Sequence, residues 1–272
     1  MATLGPSPHT APAGSHLAGR RVLPRLFTAL DLPDAGTAFA LAEKVGMLRS
    51  PSGSVGSGLK VGLELFSAAG PEPVRLLVDK GCVVFVDLKF HDIPNTVRRA
   101  VKVCCALGAG LLSLHLTGGG AMCRAAVAAR DASGASTLLM GVSVLTGMDG
   151  AAAEITGRVL ALARSAKDRG LDGVICSGRE AAAVKHELGD DFLCLCPGIR
   201  FAGSAGGDDQ ARVCTPRDAV AAGADFLVMG RPIIGAADPA AAAAAALLEM
   251  ETGLGCRDGN RGNSDESNTG RH

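Results

Sequence analysis

The chain reads as an α/β protein of the (β/α)8 TIM-barrel class, a single domain over residues 25–252 with an extension at 1–24 and a polar tail at 253–272 expected to be disordered. Three observations predict this. Eight short apolar or β-branched runs recur along the chain, segments with helical spacing separate them, and each run ends on a polar or charged group. Strands buried on both faces and alternating with helices form parallel sheets. Eight such units close most simply into a barrel, whose chemistry sits at the C-terminal ends of the strands. A doubly wound open sheet is the alternative, but no G-x-G-x-x-G follows the first run.

Taken in order, the first run is LFTALD at 26–31, ending on Asp31. GLKVG at 58–62 carries Lys60 and follows SPSGSVGSG, read as an inserted surface loop. CVVFVDLK at 82–89 ends in Asp87 and Lys89, with Asp92 three residues on, before a helix expected to begin near Pro94 (RRAVKVCCALG). LLSLHL at 111–116 ends near His115, and TLLMGVSVL at 137–145 leads to Thr146 and the helix GRVLALARSAKDRG. GVICS at 173–177 ends on Ser177 and FLCLCPGI at 192–199 on Arg200, while FLVMGRPI at 226–233 contains Gly230 and Arg231. In the last helix, DPAAAAAAALLEM, Asp238 is an N-cap and Pro239 suits the first helical position.

Composition excludes several classes. Lys plus Arg and Asp plus Glu are 27 each among 272 residues, so no global charge favours nucleic acid or an anionic membrane. No stretch approaches 18 uninterrupted apolar residues. Nine cysteines are scattered, without a Cys-x-x-Cys pair, mostly inside apolar runs. They read as buried free thiols rather than metal ligands, and they suit a reducing compartment, with a cytoplasmic location expected. Residues 1–24 contain no acid and carry Arg20 and Arg21, which resembles an organelle transit peptide. Their Pro, Ser and Gly content makes a plain disordered extension the preferred reading.

The tightest chemical signal is VVFVDLKFHDIPNTV at 83–97. Alternation along a strand puts Asp87 and Lys89 on one face and turns His91 away, so His91 is not read as catalytic. With Lys60 on the neighbouring strand, the expected row is Lys60, Asp87, Lys89, Asp92, alternating in sign. At 4 Å such a pair is worth about 4 kcal/mol of Coulomb energy at an effective dielectric near 20, before desolvation. A structural salt-bridge network is the bland alternative, yet desolvation leaves buried pairs little net stability, and charges gathered at strand ends favour function. A second signal lies late in the chain. Arg200 follows strand seven and Gly230–Arg231 follows strand eight, the two loops with which barrels often bind phosphate. Between them FAGSAGGDDQ reads as a flexible loop ending in the amide donor Gln210.

Together, ALD at 29–31, KVGLELF at 60–66, DLKFHDIPNTV at 87–97, VSVLTGMD at 142–149, PGIR at 197–200 and MGRPI at 229–233 resemble the bacterial-type orotidine 5′-phosphate decarboxylase family, over residues 26–250. The resemblance implies conversion of orotidine 5′-monophosphate to UMP and CO2, the last step of UMP biosynthesis, without metal or organic cofactor. It implies that Lys89 protonates C6, Asp87 lies against the substrate carboxylate, and Asp31 and Lys60 hold the ribose. Thr146 would sit by the pyrimidine, with Arg200, Gln210, Gly230 and Arg231 on the phosphate. Asp92 and Thr96 would reach into the partner's site in a homodimer.

Departures from the family pattern are modest: the segment after VLTGMD is short, Phe201 follows PGIR, and CSG replaces CSA. Two rival readings compete with this one. One is a Mg²⁺-dependent phosphosugar lyase or decarboxylase sharing the Asp-x-Lys-x-x-Asp pattern, which Lys60 and Thr146 disfavour. The other is a non-catalytic barrel that binds a nucleoside monophosphate, which the short covering segment alone supports.

Overall fold

Eight parallel strands pair in chain order and close on themselves, β8 returning to β1. The computed structural model describes residues 22–144, 151–203 and 214–266, with side chains through residue 258. The strands are β1 (Arg25–Ala29), β2 (Gly56–Gly62), β3 (Val84–Phe90) and β4 (Leu111–His115), then β5 (Leu138–Val142), β6 (Gly173–Ile175), β7 (Leu193–Cys196) and β8 (Phe226–Met229). Every predicted run overlaps one; β1 and β2 start earlier than expected, at Arg25 and Gly56, and β3 runs one residue further, to Phe90.

Around them lie α1 (Ala35–Val45), α2 (Leu63–Ala69), α3 (Glu72–Asp79), α4 (Pro94–Ala106), α5 (Gly119–Ser133), α6 (Ala152–Asp168), α7 (Gly178–Leu188) and α8 (Pro216–Ala221). A short α9 (Arg231–Ile234) and a long α10 (Pro239–Glu266) follow the last strand. Starts obey local chemistry: Asp34 accepts from Thr37 N at 2.6 Å, and Asp238 caps α10 by accepting from Ala241 N at 3.1 Å.

Alternation along the strands sorts two cores. Inward side chains include Phe27, Phe85 and Phe226, whose rings meet edge to face at 5.7 and 5.8 Å, with Leu111, Met140 and Leu195. They fill the barrel, so a ligand must bind at an end rather than within. Outward side chains such as Leu26, Val86, Leu112 and Val174 pack beneath the helices. All nine cysteines are unpaired and six are buried; burial beside Cys105 pushes the Cys104 thiol up to about 12.

One expectation is corrected at the N-terminal end of the barrel, its floor. The polar stretch from 253 begins as a continuation of α10 rather than a tail. There Leu254 packs on the core, and the Arg257 guanidinium meets Asp225 at 3.4 Å and Asp190 at 3.5 Å. Composition alone missed this because these partners lie on other connections. The serine-rich segment before β2 is an exposed loop, as expected, and it is tied to the body. The Ser50 and Ser54 hydroxyls donate to Glu251 Oε1 on α10 at 2.9 and 3.1 Å, joined by Ser52 N at 3.0 Å. Among the described residues no helix is long and apolar enough to cross a membrane.

Candidate active site

At the C-terminal mouth of the barrel lies a cavity of about 510 Å³. Asp31, Lys60, Asp87 and Lys89 form one wall and Arg200, Gly230 and Arg231 another, above an apolar base that includes Phe85 and Ile175. The charged wall is a continuous row. Lys60 Nζ donates to Asp31 Oδ1 at 2.7 Å and stands 3.8 Å from Asp87 Oδ2, which also accepts from Lys89 Nζ at 2.8 Å. Lys60 and Asp87 are buried, whereas Asp31 and Lys89 reach the open cavity. Opposite charges therefore compensate one another where water is scarce, which is the condition for keeping ions below a protein surface.

The fold makes the row from distant sequence. Parallel pairing sets Ala29 opposite Lys60 and Gly62 opposite Asp87, so the ends of the first three strands converge. Gly62 is needed for closeness: a Cβ there would lie 2.6 Å from Lys60 Nζ and 2.7 Å from Asp31 Oδ1. Lys89 is the one non-glycine residue with positive φ among those described, at 50°. Such backbone costs about 1–2 kcal/mol in an ordinary residue, and here it turns the ammonium onto Asp87.

The structure brings together Asp31, Lys60, Asp87 and Lys89, and sets Arg200, Gly230 and Arg231 across the cavity. Asp92 does not join the row. It is exposed past the end of β3 and accepts from Ile93 N at 2.6 Å, because alternation stops where the strand stops. Its expected place is taken at the other end by Asp31. Thr96 lies in the first turn of α4, half-buried. Thr146 and Gln210, with the shortened segment after β5 and most of the loop before Gln210, lie outside the described residues.

Two strand-end polar groups serve the frame instead. Ser177 caps α7 in a reciprocal box with Glu180. His115 faces His91, ring centroids 5.3 Å apart. Burial, then His91 and Lys89, pull the His115 imidazole below its ordinary 6.5, with Asp87 opposing. One residue escaped sequence reasoning: buried Ser113, whose hydroxyl donates to Asp87 Oδ1 at 2.8 Å. Its signal was a small polar residue among leucines in LLSLH, on the inward face with Leu111.

A family model described as orotidine 5′-phosphate decarboxylase / HUMPS matches residues 24–246. The orotidine 5′-phosphate decarboxylase of Nitratidesulfovibrio vulgaris is 50% identical over 234 residues, covering 83% of this chain and 97% of the relative. That of Alkalilimnicola ehrlichii is 48% identical over 241 residues, covering 86% and 97%. The crystal structure of the Lactobacillus acidophilus orotidine 5′-phosphate decarboxylase superposes with a TM-score of 0.70 at 34% identity, over 84% of this chain and 99% of that one.

Proposed function

Because the chain belongs to the orotidine 5′-phosphate decarboxylase / HUMPS family, we propose that the Asp31–Lys60–Asp87–Lys89 row is the machinery of its reaction. The enzyme decarboxylates orotidine 5′-monophosphate to UMP and CO2 in pyrimidine biosynthesis. The observation that carries the assignment is the Lys89–Asp87 pair at 2.8 Å at the cavity wall, one member buried and the other open to the cavity.

Breaking the C6–carboxylate bond leaves its electron pair on C6, where the pyrimidine ring delocalises it poorly. The barrier to be removed is on the order of 20 kcal/mol. An ammonium fixed beside C6 stabilises that pair as it forms, then transfers its proton to C6 as CO2 departs. Asp87 holds and aims the Lys89 ammonium. Its own charge also opposes the substrate carboxylate and is relieved when neutral CO2 forms. Lys60 is held between Asp31 and Asp87, so it presents a fixed charge to the ribose rather than one that must reorganise. Arg200 and Arg231, with the Gly230 backbone, take the phosphate across the cavity. Binding energy gained there, remote from C6, supports closure around the reacting bond.

The active unit in this reading is a homodimer. Asp92 and Thr96 stand at the rim, away from their own cavity, beside the 66% exposed Ile93, and would complete the partner's site. The unpaired cysteines suit a reducing cytoplasm. The deciding experiment incubates purified protein with orotidine 5′-monophosphate, with and without EDTA, while following ultraviolet absorbance and CO2. Chelator-insensitive loss of substrate with stoichiometric CO2 is expected; absence of turnover in folded protein that binds UMP would overturn the reading.

A further inference from the structure

The pairing of β3 with β4 is irregular at the charged row. Val86 stands opposite Leu112 and Phe90 opposite Leu114, so β3 advances four residues while β4 advances two. Asp87, Leu88 and Lys89 therefore face a single residue, Ser113. A bulge of this kind leaves backbone groups without ladder partners and redirects side chains. Here the Lys89 N–H, displaced from the ladder, donates to Ser113 Oγ at 2.9 Å. The same oxygen lies 2.8 Å from Asp87 Oδ1. A hydroxyl has one proton, and the ionised carboxylate can only accept, so the Ser113 proton points to Asp87.

Asp87 is thereby held at both oxygens, Oδ2 by the lysines and Oδ1 by Ser113. Ser113 is fully buried, so water cannot replace it. It touches both the backbone of Lys89, at the strained φ of 50°, and the side chain of its ionic partner. Among the described residues no other side chain bonds both groups.

We propose that Ser113 is a positioning residue for the decarboxylation: it fixes the bulge that sets the Lys89 ammonium against Asp87. The inference rests on the reading of Lys89 and Asp87 given above. It reaches substrate only through them, so it should govern the chemical step rather than binding. The phosphate wall, which supplies binding, lies across the cavity.

The test compares Ser113→Ala, Ser113→Cys and Ser113→Thr. Cysteine keeps the volume without a strong hydrogen bond, and threonine keeps the hydroxyl. Ser113→Ala and Ser113→Cys should lower kcat about 10–100-fold, as displacements near 1 Å do. KM and UMP affinity should stay within about threefold, and circular dichroism should remain native. Ser113→Thr should recover most of kcat; if its methyl prevents folding, the Ala and Cys variants decide. Wild-type kcat in Ser113→Ala or Ser113→Cys, or a loss confined to KM, would overturn the proposal. Lys89→Ala, assayed alongside, separates the two claims. If it is inactive while Ser113→Ala is unimpaired, only the Ser113 assignment falls. If Lys89→Ala turns over normally, the reading of the row itself falls.

Discussion

Lys89 combines two demands in one residue, a proton for C6 and a backbone in the left-handed region. Lys89→Ala should cut kcat by about 10⁴-fold or more while UMP still binds. Lys89→Gly should be as inactive yet more stable than Lys89→Ala by about 1 kcal/mol, since glycine accepts that φ freely. Equal denaturation midpoints for the two would contradict the strain argument. His115 makes a different prediction. Its folded-state affinity for a proton is reduced, so below its ordinary 6.5 the unfolded chain binds more protons than the folded one. That contribution to stability is complete above about 6.5 and is lost as pH falls. In urea unfolding followed by circular dichroism between pH 5 and 7.5, the midpoint should drop on acidification, less so in His115→Asn. Identical slopes would refute it. The strand-end charges Asp87 and Lys89 were legible as neighbours because they lie two residues apart, but a bulge rather than plain alternation aims Lys89. Asp31 beside Lys60 was not, since strand pairing across a 29-residue separation creates it. Ser113 was hidden by a bulge that nothing in DLKF announces.

Among the elements, α10 tests how far local propensity can be trusted. Its Ala-rich start and Asp238–Pro239 entry were read from sequence, but its passage through Gly253 and Gly255 was not, because glycine lowers helix propensity. Gly253 is there for proximity: a Cβ would lie 2.5 Å from the Arg217 carbonyl oxygen on α8. Gly255 faces open space. Gly255→Ala should therefore raise stability by about 0.5–1 kcal/mol, whereas Gly253→Ala should lower it despite the better helix former. Thermal melts of the pair check this, and a stabilised Gly253→Ala would refute the packing argument. The strands were the most legible elements, each overlapping a predicted run, because burial on both faces leaves a continuous apolar signature.

For the whole molecule, the (β/α)8 class followed from counting units, and the closed eight-stranded sheet agrees. Quaternary structure is less visible, since a self-complementary surface has no sequence period. The rim carries exposed Ile93, and Leu63 is exposed on α2. If Asp92 and Thr96 complete a neighbouring site, specific activity should fall on dilution through the dimer dissociation range, together with the sedimentation coefficient. Full activity in a demonstrated monomer would refute that arrangement.

Strand β1 rises from the floor, where Val22 packs against the inward core, and α10 descends to the same floor, where Arg257 meets Asp190 and Asp225. Val22 and Arg257 thus both lie at the pole opposite the mouth. A reporter domain fused there, or a surface to which the protein is tethered, would leave substrate entry unobstructed. Immobilised through that floor, the catalyst would present its working face to the surrounding fluid.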